Sequence, residues 1–205
     1  MDMGKVLSKD IAEEIRHWHY ESIDSTNEAA LRLIAEWSVD RAIISADAQS
    51  RGRGQYGRTF YSPPQGLYLS YIWGPDHQLV ADLLPVLKVA LGTSRALERL
   101  YVQYEKQGAP KLEIKPLNDI LYEGKKIAGI LCESYRGHFI AGIGLNLYPQ
   151  TFPEELRARA GYLLSSTEKI DSSFIPELFR QLEELLFQAL SDSDLQEFSQ
   201  RQHSP

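Results

Sequence analysis

Apolar residues recur at helical spacing in three stretches of the chain. Ala29, Ala30, Leu31, Leu33, Ile34 and Trp37 mark one face of a first helix. Leu83, Leu84, Leu87, Ala90, Leu91, Leu97 and Leu100 predict a second over about residues 81–104, in which Gly92 weakens the helix or marks a close contact. Phe174, Leu178, Leu182, Leu185, Leu186 and Ala189 predict a third over residues 174–190. Shorter apolar runs read as strands: residues 16–20, 42–46, 67–73, 112–115, 118–122, 126–133 and 138–147. The last two are joined by Arg136-Gly137 as a hairpin, and Pro116 ends the strand at residues 112–115. Residues 153–160 predict a short helix, and the polar tail after Ser191 continues a helix or frays. Strands and helices mix without regular βαβ alternation, so the class is α+β.

Composition narrows this picture. A chain of 205 residues with 43% hydrophobic content suits one domain with an ample core. A net charge of −6 argues against nonspecific nucleic-acid binding. The one cysteine, Cys132, excludes an intrachain disulfide, fits a reducing compartment and sits in an apolar run as a packed thiol. No apolar run reaches membrane-spanning length, and the first twenty residues carry acidic side chains instead of a signal-peptide apolar region. The expected location is cytoplasmic, with no membrane partner.

Candidate chemistry centres on Gln49-Ser50-Arg51-Gly52-Arg53-Gly54-Gln55-Tyr56-Gly57-Arg58, with three glycines and three arginines in ten residues. Such a loop can turn backbone N–H groups toward an anion, and arginine adds planar donors suited to phosphate. Its arginines have no acidic partner nearby in sequence, so residues 50–56 are expected to be mobile until a ligand orders them. Ser25 and Glu28 have capping-box spacing ahead of the first helix, whose N-terminus also presents N–H donors and small polar side chains to a pocket. Gly129, Gly142 and Gly144 interrupt strand sequence, so a ligand or another backbone approaches the sheet closely there. His17 and His19 alternate on a strand and read as exposed side chains without further metal ligands.

Four segments then line up in order: Asp24-Ser25-Thr26-Asn27; Gln49 through Arg58; Lys115-Pro116-Leu117-Asn118-Asp119 followed by Lys126-Ile127-Ala128-Gly129-Ile130-Leu131-Cys132-Glu133; and Gly142-Ile143-Gly144-Leu145-Asn146. In order and spacing this resembles the catalytic domain of the biotin protein ligases, from about residue 16 to 190 of a single domain covering residues 1–205. The resemblance implies a mixed, mainly antiparallel sheet flanked by helices, related to class II aminoacyl-tRNA synthetases and lipoate ligases. It implies an ATP-dependent biotin–[acetyl-CoA-carboxylase] ligase. Such an enzyme joins biotin to ATP with Mg²⁺, then moves biotin from biotinoyl-5′-adenylate to a lysine of a carboxylase's biotin carrier domain.

By that resemblance Ser25, Thr26, Asn27 and Gln49 line the biotin pocket, with Arg53, Gly54, Gln55 and Lys115 beside them. Arg53 and Lys115 are the catalytic cations. Arg58, Phe60, Lys115 and Asn146 face the nucleotide. Gln55 stands where the family has a second arginine, Phe60 where tryptophan is usual, Pro116-Leu117 where Trp-Pro is usual, and Gly66 where asparagine is expected. No winged helix is expected before Trp18, and so no nucleic-acid partner, and no C-terminal β-barrel is expected after the helical sequence. A homodimer is compatible with this reading. The rival functions are a lipoate ligase or lipoyl transferase of the same superfamily, and a biotin-binding protein that has lost catalysis.

Overall fold

The computed structural model describes residues 5–10, 15–81, 83–116 and 118–202. Asp82, Leu117, and the parts of the N-terminal segment and C-terminal tail at residues 1–4, 11–14 and 203–205, lie outside the described residues. The chain divides into two compact units, residues 1–78 with 131–144, and residues 79–130 with 145–205. Strands β7 (Lys125–Tyr135) and β8 (His138–Asn146) contribute to both. The architecture is a mixed sheet flanked by helices.

In the first unit the strand order is β1 (Lys5–Asp10), β2 (Ile15–Ile23), β3 (Arg41–Gln49), β4 (Gly66–Trp73), β8, β7. β2 and β3 run parallel, because helix α1 (Thr26–Trp37) forms the crossover between them; β1 and β4 flank them antiparallel. Alternation along the strands gives the sheet two faces. Trp18, Ala42, Ile44 and Ile72 form a core with Ala29, Ala30 and Ile34 of α1 and with Ile140. His17 and Ser45 point to the other face.

The second unit carries the strand order β7, β6 (Asp119–Tyr122), β5 (Leu112–Lys115) with α2 (Pro85–Glu105), α3 (Glu154–Arg157), α4 (Phe174–Phe187) and α5 (Asp192–Arg201). α2 starts at Pro85, four residues later than its apolar pattern predicts. Proline is favoured at the first helical position and disfavours helix in the residue before it, and Leu84 is extended and 56% exposed. Gly92 lets α4 approach: a Cβ there would meet Leu182 Cδ2 at 2.7 Å and Leu185 Cδ1 at 2.8 Å. α3 and α4 end earlier than predicted, at Arg157 and Phe187.

The polar tail forms α5, opened by a capping box between Ser191 and Asp194. It attaches to α2 mainly through charge. Arg95 reaches Asp194 and Glu197, each at 2.6 Å, and Arg201 reaches Glu98 at 2.5 Å and Glu197 at 2.7 Å. The Ser191 hydroxyl, then Arg95, hold Asp194 down to about 2. Arg95 first, then Arg201, also lowers Glu197. Because the folded values lie below the unfolded ones, this stabilisation is complete above the ordinary carboxylate range. It is lost as pH falls from about 4 toward about 2. An acid titration followed by circular dichroism should show α5 melting in that window in the parent. The Asp194→Asn variant should lose its low-pH step; an unchanged profile would contradict the linkage.

Candidate functional site

The first unit places the expected pocket residues around the start of α1 and the end of β3. Gln49 ends β3, and its Oε1 accepts from both Thr26 N (2.8 Å) and Thr26 Oγ1 (3.1 Å). Gln49 Nε2 donates to Ser62 Oγ (3.0 Å), which donates to the Phe60 carbonyl (2.9 Å). Both ends of the Gln49 amide are thus fixed. Ser25, Thr26 and Asn27 are all buried. Asn27 Oδ1 accepts from Ser70 Oγ (2.6 Å), while Nδ2 donates to Glu133 Oε2 (2.7 Å) and to the Leu131 carbonyl (3.3 Å).

The predicted capping box at Ser25 does not form. Ser25 is the N-cap but makes no side-chain cap bond, and Glu28 is drawn to Arg53 instead, Oε1 to Nη1 at 2.6 Å. A full guanidinium charge outcompetes a backbone N–H as partner for a carboxylate. Asp24 takes over at the helix start: its Oδ1 accepts from Ser25 N, and Arg32 grips the carboxylate at 2.9 Å through both terminal nitrogens. Arg32 is also the main reason that Asp24 lies below the ordinary carboxylate value.

The arginine-rich loop is more tied down than its sequence suggests. Two of its three arginines do have acidic partners, brought from far along the chain: Asp24 for Arg51 (3.6 Å), and Glu28 and Glu133 (3.0 Å) for Arg53. Its N–H groups are also engaged. Ser50 N and Arg51 N donate to the Ile23 and Asp24 carbonyls, Gly54 N to Arg58 O, Arg58 N to Gln55 O, and Phe60 N to Gly52 O. Gln55–Gly57 form one 3₁₀ turn, with Tyr56 and Gly57 at positive φ of 57° and 72°. The Gly54 N–H, in the loop expected to turn such groups toward an anion, is therefore spent inside the loop. Arg58 is exposed and lies over the Tyr56 ring, 5.6 Å from its centroid.

Two sheet glycines are covered by side chains. A Cβ at Gly142 would collide with the Asn27 amide, and one at Gly144 would meet Phe60 Cε1 at 2.6 Å. Phe60 also packs edge-on to Tyr68, 6.4 Å between centroids.

Lys115 and Asn146 lie in the second unit. Lys115 is exposed at the last position of β5, in register with Asp119. The corner after it is held by Asn118, whose Nδ2 donates to Ile130 O (3.1 Å) while its carbonyl accepts from Ile130 N (2.8 Å). Lys126 pairs with Asp119 at 2.6 Å. Asn146 is 5% exposed; its Nδ2 donates to Lys126 O at 3.5 Å, and its buried Oδ1 has no partner. A buried orphan acceptor suits a ligand donor.

One other expectation changes. His17 is buried, its Nε2 2.7 Å from Ser45 Oγ, and burial, helped by His19, lowers it to about 4. His19 shares the same hydroxyl at 3.0 Å. Among the described residues no group of three or more His, Cys, Asp or Glu side chains could hold a metal ion. Cys132 is pushed up to about 12 by burial, then by Glu133, as befits a packed thiol and not a nucleophile. Glu28, Glu133, Ser62 and Ser70 are the site residues that sequence reasoning missed.

The model of the biotin/lipoate A/B protein ligase family matches residues 19–148, which is more than half of the chain. The chain belongs to the biotin/lipoate A/B protein ligase family. It is 32% identical over 162 residues to the bifunctional ligase/repressor BirA of Bacillus subtilis, covering 75% of this chain and 48% of that protein. With the BirA of Escherichia coli it shares 33% over 131 residues, 61% of this chain and 38% of that one. The chain thus spans about half or less of the length of these curated relatives. A biotin protein ligase from Aquifex aeolicus in complex with biotin and ATP matches at TM-score 0.61 and 26% identity, over 91% of this chain and 72% of that one. The Leishmania major biotin protein ligase in complex with biotinyl-5-AMP, at TM-score 0.71 and 24% identity over 91% and 81%, shows the same fold. No helix among the described residues is long and apolar enough to cross a membrane.

Proposed function

We propose that this chain is an ATP-dependent biotin protein ligase that forms biotinoyl-5′-adenylate and passes biotin to a lysine of a carboxylase carrier domain. The observation that carries the reading is the buried Ser25-Thr26-Asn27 start of α1, fixed to Gln49 and flanked by Arg53. Its hydroxyl and amide side chains are of the types that would donate to and accept from a ureido ring once a ligand displaces their present partners, with a cation beside them. The relatives' names and the biotin-bound Aquifex aeolicus neighbour point the same way. A single cysteine suits a reducing, cytoplasmic setting.

In this reading the biotin carboxylate attacks the α-phosphorus of ATP and pyrophosphate leaves. Arg53 and Lys115 stabilise the charge that builds on the nonbridging oxygens. The Gly54 N–H exchanges the Arg58 carbonyl for the ligand. Arg58, Phe60 and the orphan Asn146 Oδ1 serve the nucleotide. The carrier lysine then attacks the acyl carbon, and AMP departs. Mg²⁺ would come with the nucleotide phosphates, as this small cation commonly does, and would screen their charge.

The test is exchange of labelled pyrophosphate into ATP. Exchange that requires biotin, with biotin and not lipoate raising the melting temperature, is the expected result. Lipoate-dependent exchange would make the chain a lipoate ligase, and biotin binding without exchange would make it a binding protein.

Gln55 gives a second test. It keeps hydrogen-bonding capacity but lacks the charge of the arginine usual in the family. A charged hydrogen bond contributes about 1.5–3 kcal/mol against about 1 for a neutral one, so Gln55→Arg should slow adenylate release about threefold to thirtyfold. Labelling of bystander lysines should fall in step. Equal release by both proteins would show that Gln55 is no weak point.

A further inference from the structure

We infer that Glu133 is a positioning residue that couples Asn27 in the pocket to Arg53 in the loop. The inference rests on the biotin-pocket reading for its functional meaning, but its geometry stands apart from it. The two carboxylate oxygens of Glu133 have different partners. Oε2 accepts from Asn27 Nδ2 at 2.7 Å, and Oε1 accepts from Arg53 Nη2 at 3.0 Å. One rigid planar group therefore sets both side chains at once.

The pocket end of this link is oriented unambiguously. Ser70 Oγ donates to Asn27 Oδ1 at 2.6 Å, which leaves Nδ2 as the end that faces Glu133 and Leu131 O. Ser70 is wholly buried and Asn27 is 3% exposed, so neither group can turn to water instead. Gly142 lies against the same amide and leaves no room for it to shift that way. The loop end is held on two sides, since Glu28 takes Arg53 Nη1 at 2.6 Å. Glu28 holds Arg53 from α1 without a side-chain bond to the Asn27 amide; among the described residues Glu133 alone hydrogen-bonds both side chains.

The consequence is a path for signal between ligand and loop. A ligand that pulls on the Asn27 amide shifts the Glu133 carboxylate and loosens its hold on Arg53. The guanidinium is then available to an incoming phosphate. An anion that takes Arg53 first frees Glu133 to tighten on Asn27. The coupling acts both ways, as linkage requires.

Tryptic cleavage within residues 50–58 of the ligand-free protein reads the hold on the loop, because cleavage tracks local opening when reclosing is fast. Glu133→Gln leaves one carbonyl acceptor for Asn27 and removes the charge opposite Arg53. It should speed loop cleavage about threefold to tenfold, the lower end reflecting the partial exposure of the pair. Ser70→Ala, which frees the Asn27 amide to rotate, should also speed cleavage in the parent. It should add nothing in the Glu133→Gln background, yet still add its effect in Glu28→Gln. Asn27→Ala serves as a second perturbation if Ser70→Ala unfolds, and cleavage outside the loop reports any global loss of structure. Independent, multiplicative effects of Ser70→Ala and Glu133→Gln would overturn the coupling. Biotin titration of the same proteins is read separately. A parent that binds no biotin defeats the ligase reading and leaves the cleavage result to judge Glu133. In a parent that binds biotin, biotin alone should speed tryptic cleavage of the loop, and Glu133→Gln should lose that response; an equal response in both proteins would overturn the inference.

Discussion

Lys115→Ala is expected to lower biotin-dependent pyrophosphate exchange by about a hundredfold or more, the usual scale for losing a donor aimed at developing charge. The fold should survive. Lys115 is exposed and ends β5, so its removal opens no cavity, and its strand pairing opposite Asp119 is made by the backbone. Pro116 has no N–H with which to prolong the strand, which leaves the side chain at a corner. The melting transition should therefore move by no more than about 0.5 kcal/mol, as for an ordinary surface substitution. Lys115→Arg separates charge from shape: it keeps the cation but presents a planar fork in place of a compact ammonium, and partial recovery is expected. Near-parental exchange by folded Lys115→Ala would remove this lysine from the mechanism.

The elements of the fold were legible where burial imposes a period. α1 and α4 bury one apolar side each, so their spacing shows in the chain, and the hairpin between β7 and β8 is marked by Arg136 and Gly137, both at positive φ. Element ends were less legible, because they depend on single residues such as Pro85 that override the apolar run around them. The tail became α5 through ion pairs with α2 about a hundred positions away, which no local pattern announces.

The site divides along the same line. Ser25, Thr26, Asn27, Gln49 and the loop stood out because residue type and local order carry their chemistry. Their partners did not. Glu28 pairs with Arg53 across 25 positions and Glu133 across 80, so a loop arginine that looked uncompensated in sequence is paired in space. The same contact dissolved the predicted capping box, since one carboxylate cannot serve both the helix start and the guanidinium. His17 looked exposed for the complementary reason: alternation tells which face a residue is on, but not what covers that face.

The second large effect is expected at Gly52. Gly52→Ala should destabilise the protein by about 1–3 kcal/mol, the range for overpacking a filled space. For a chain of this length that lowers the melting temperature by about 2–12 °C. The backbone at Gly52 does not require positive φ; what is missing is space. A Cβ there would collide with Ser62 Oγ, lie 2.5 Å from the Phe60 carbonyl and lie 3.0 Å from Gln49 Nε2. A rotamer change can move a serine hydroxyl, but the Phe60 carbonyl is backbone. It lies beside the bond from Phe60 N to Gly52 O that closes the loop. Relief must therefore part the two sides of the loop or displace the Gln49 amide. Either movement reaches Thr26, because Gln49 Oε1 holds both its N–H and its hydroxyl. Biotin binding should weaken together with stability. Gly54→Ala, two residues along the same loop, is the control: Gly54 has φ of −122°, and a Cβ would come no closer than 3.4 Å to Arg58 O. Its stability should stay within about 0.5 kcal/mol of the parent. Thermal denaturation of both variants, with biotin titration of Gly52→Ala, checks the pair. Equal stabilities would show that the loop can open at Gly52 without strain, and that Gln49 does not depend on the close approach of its backbone.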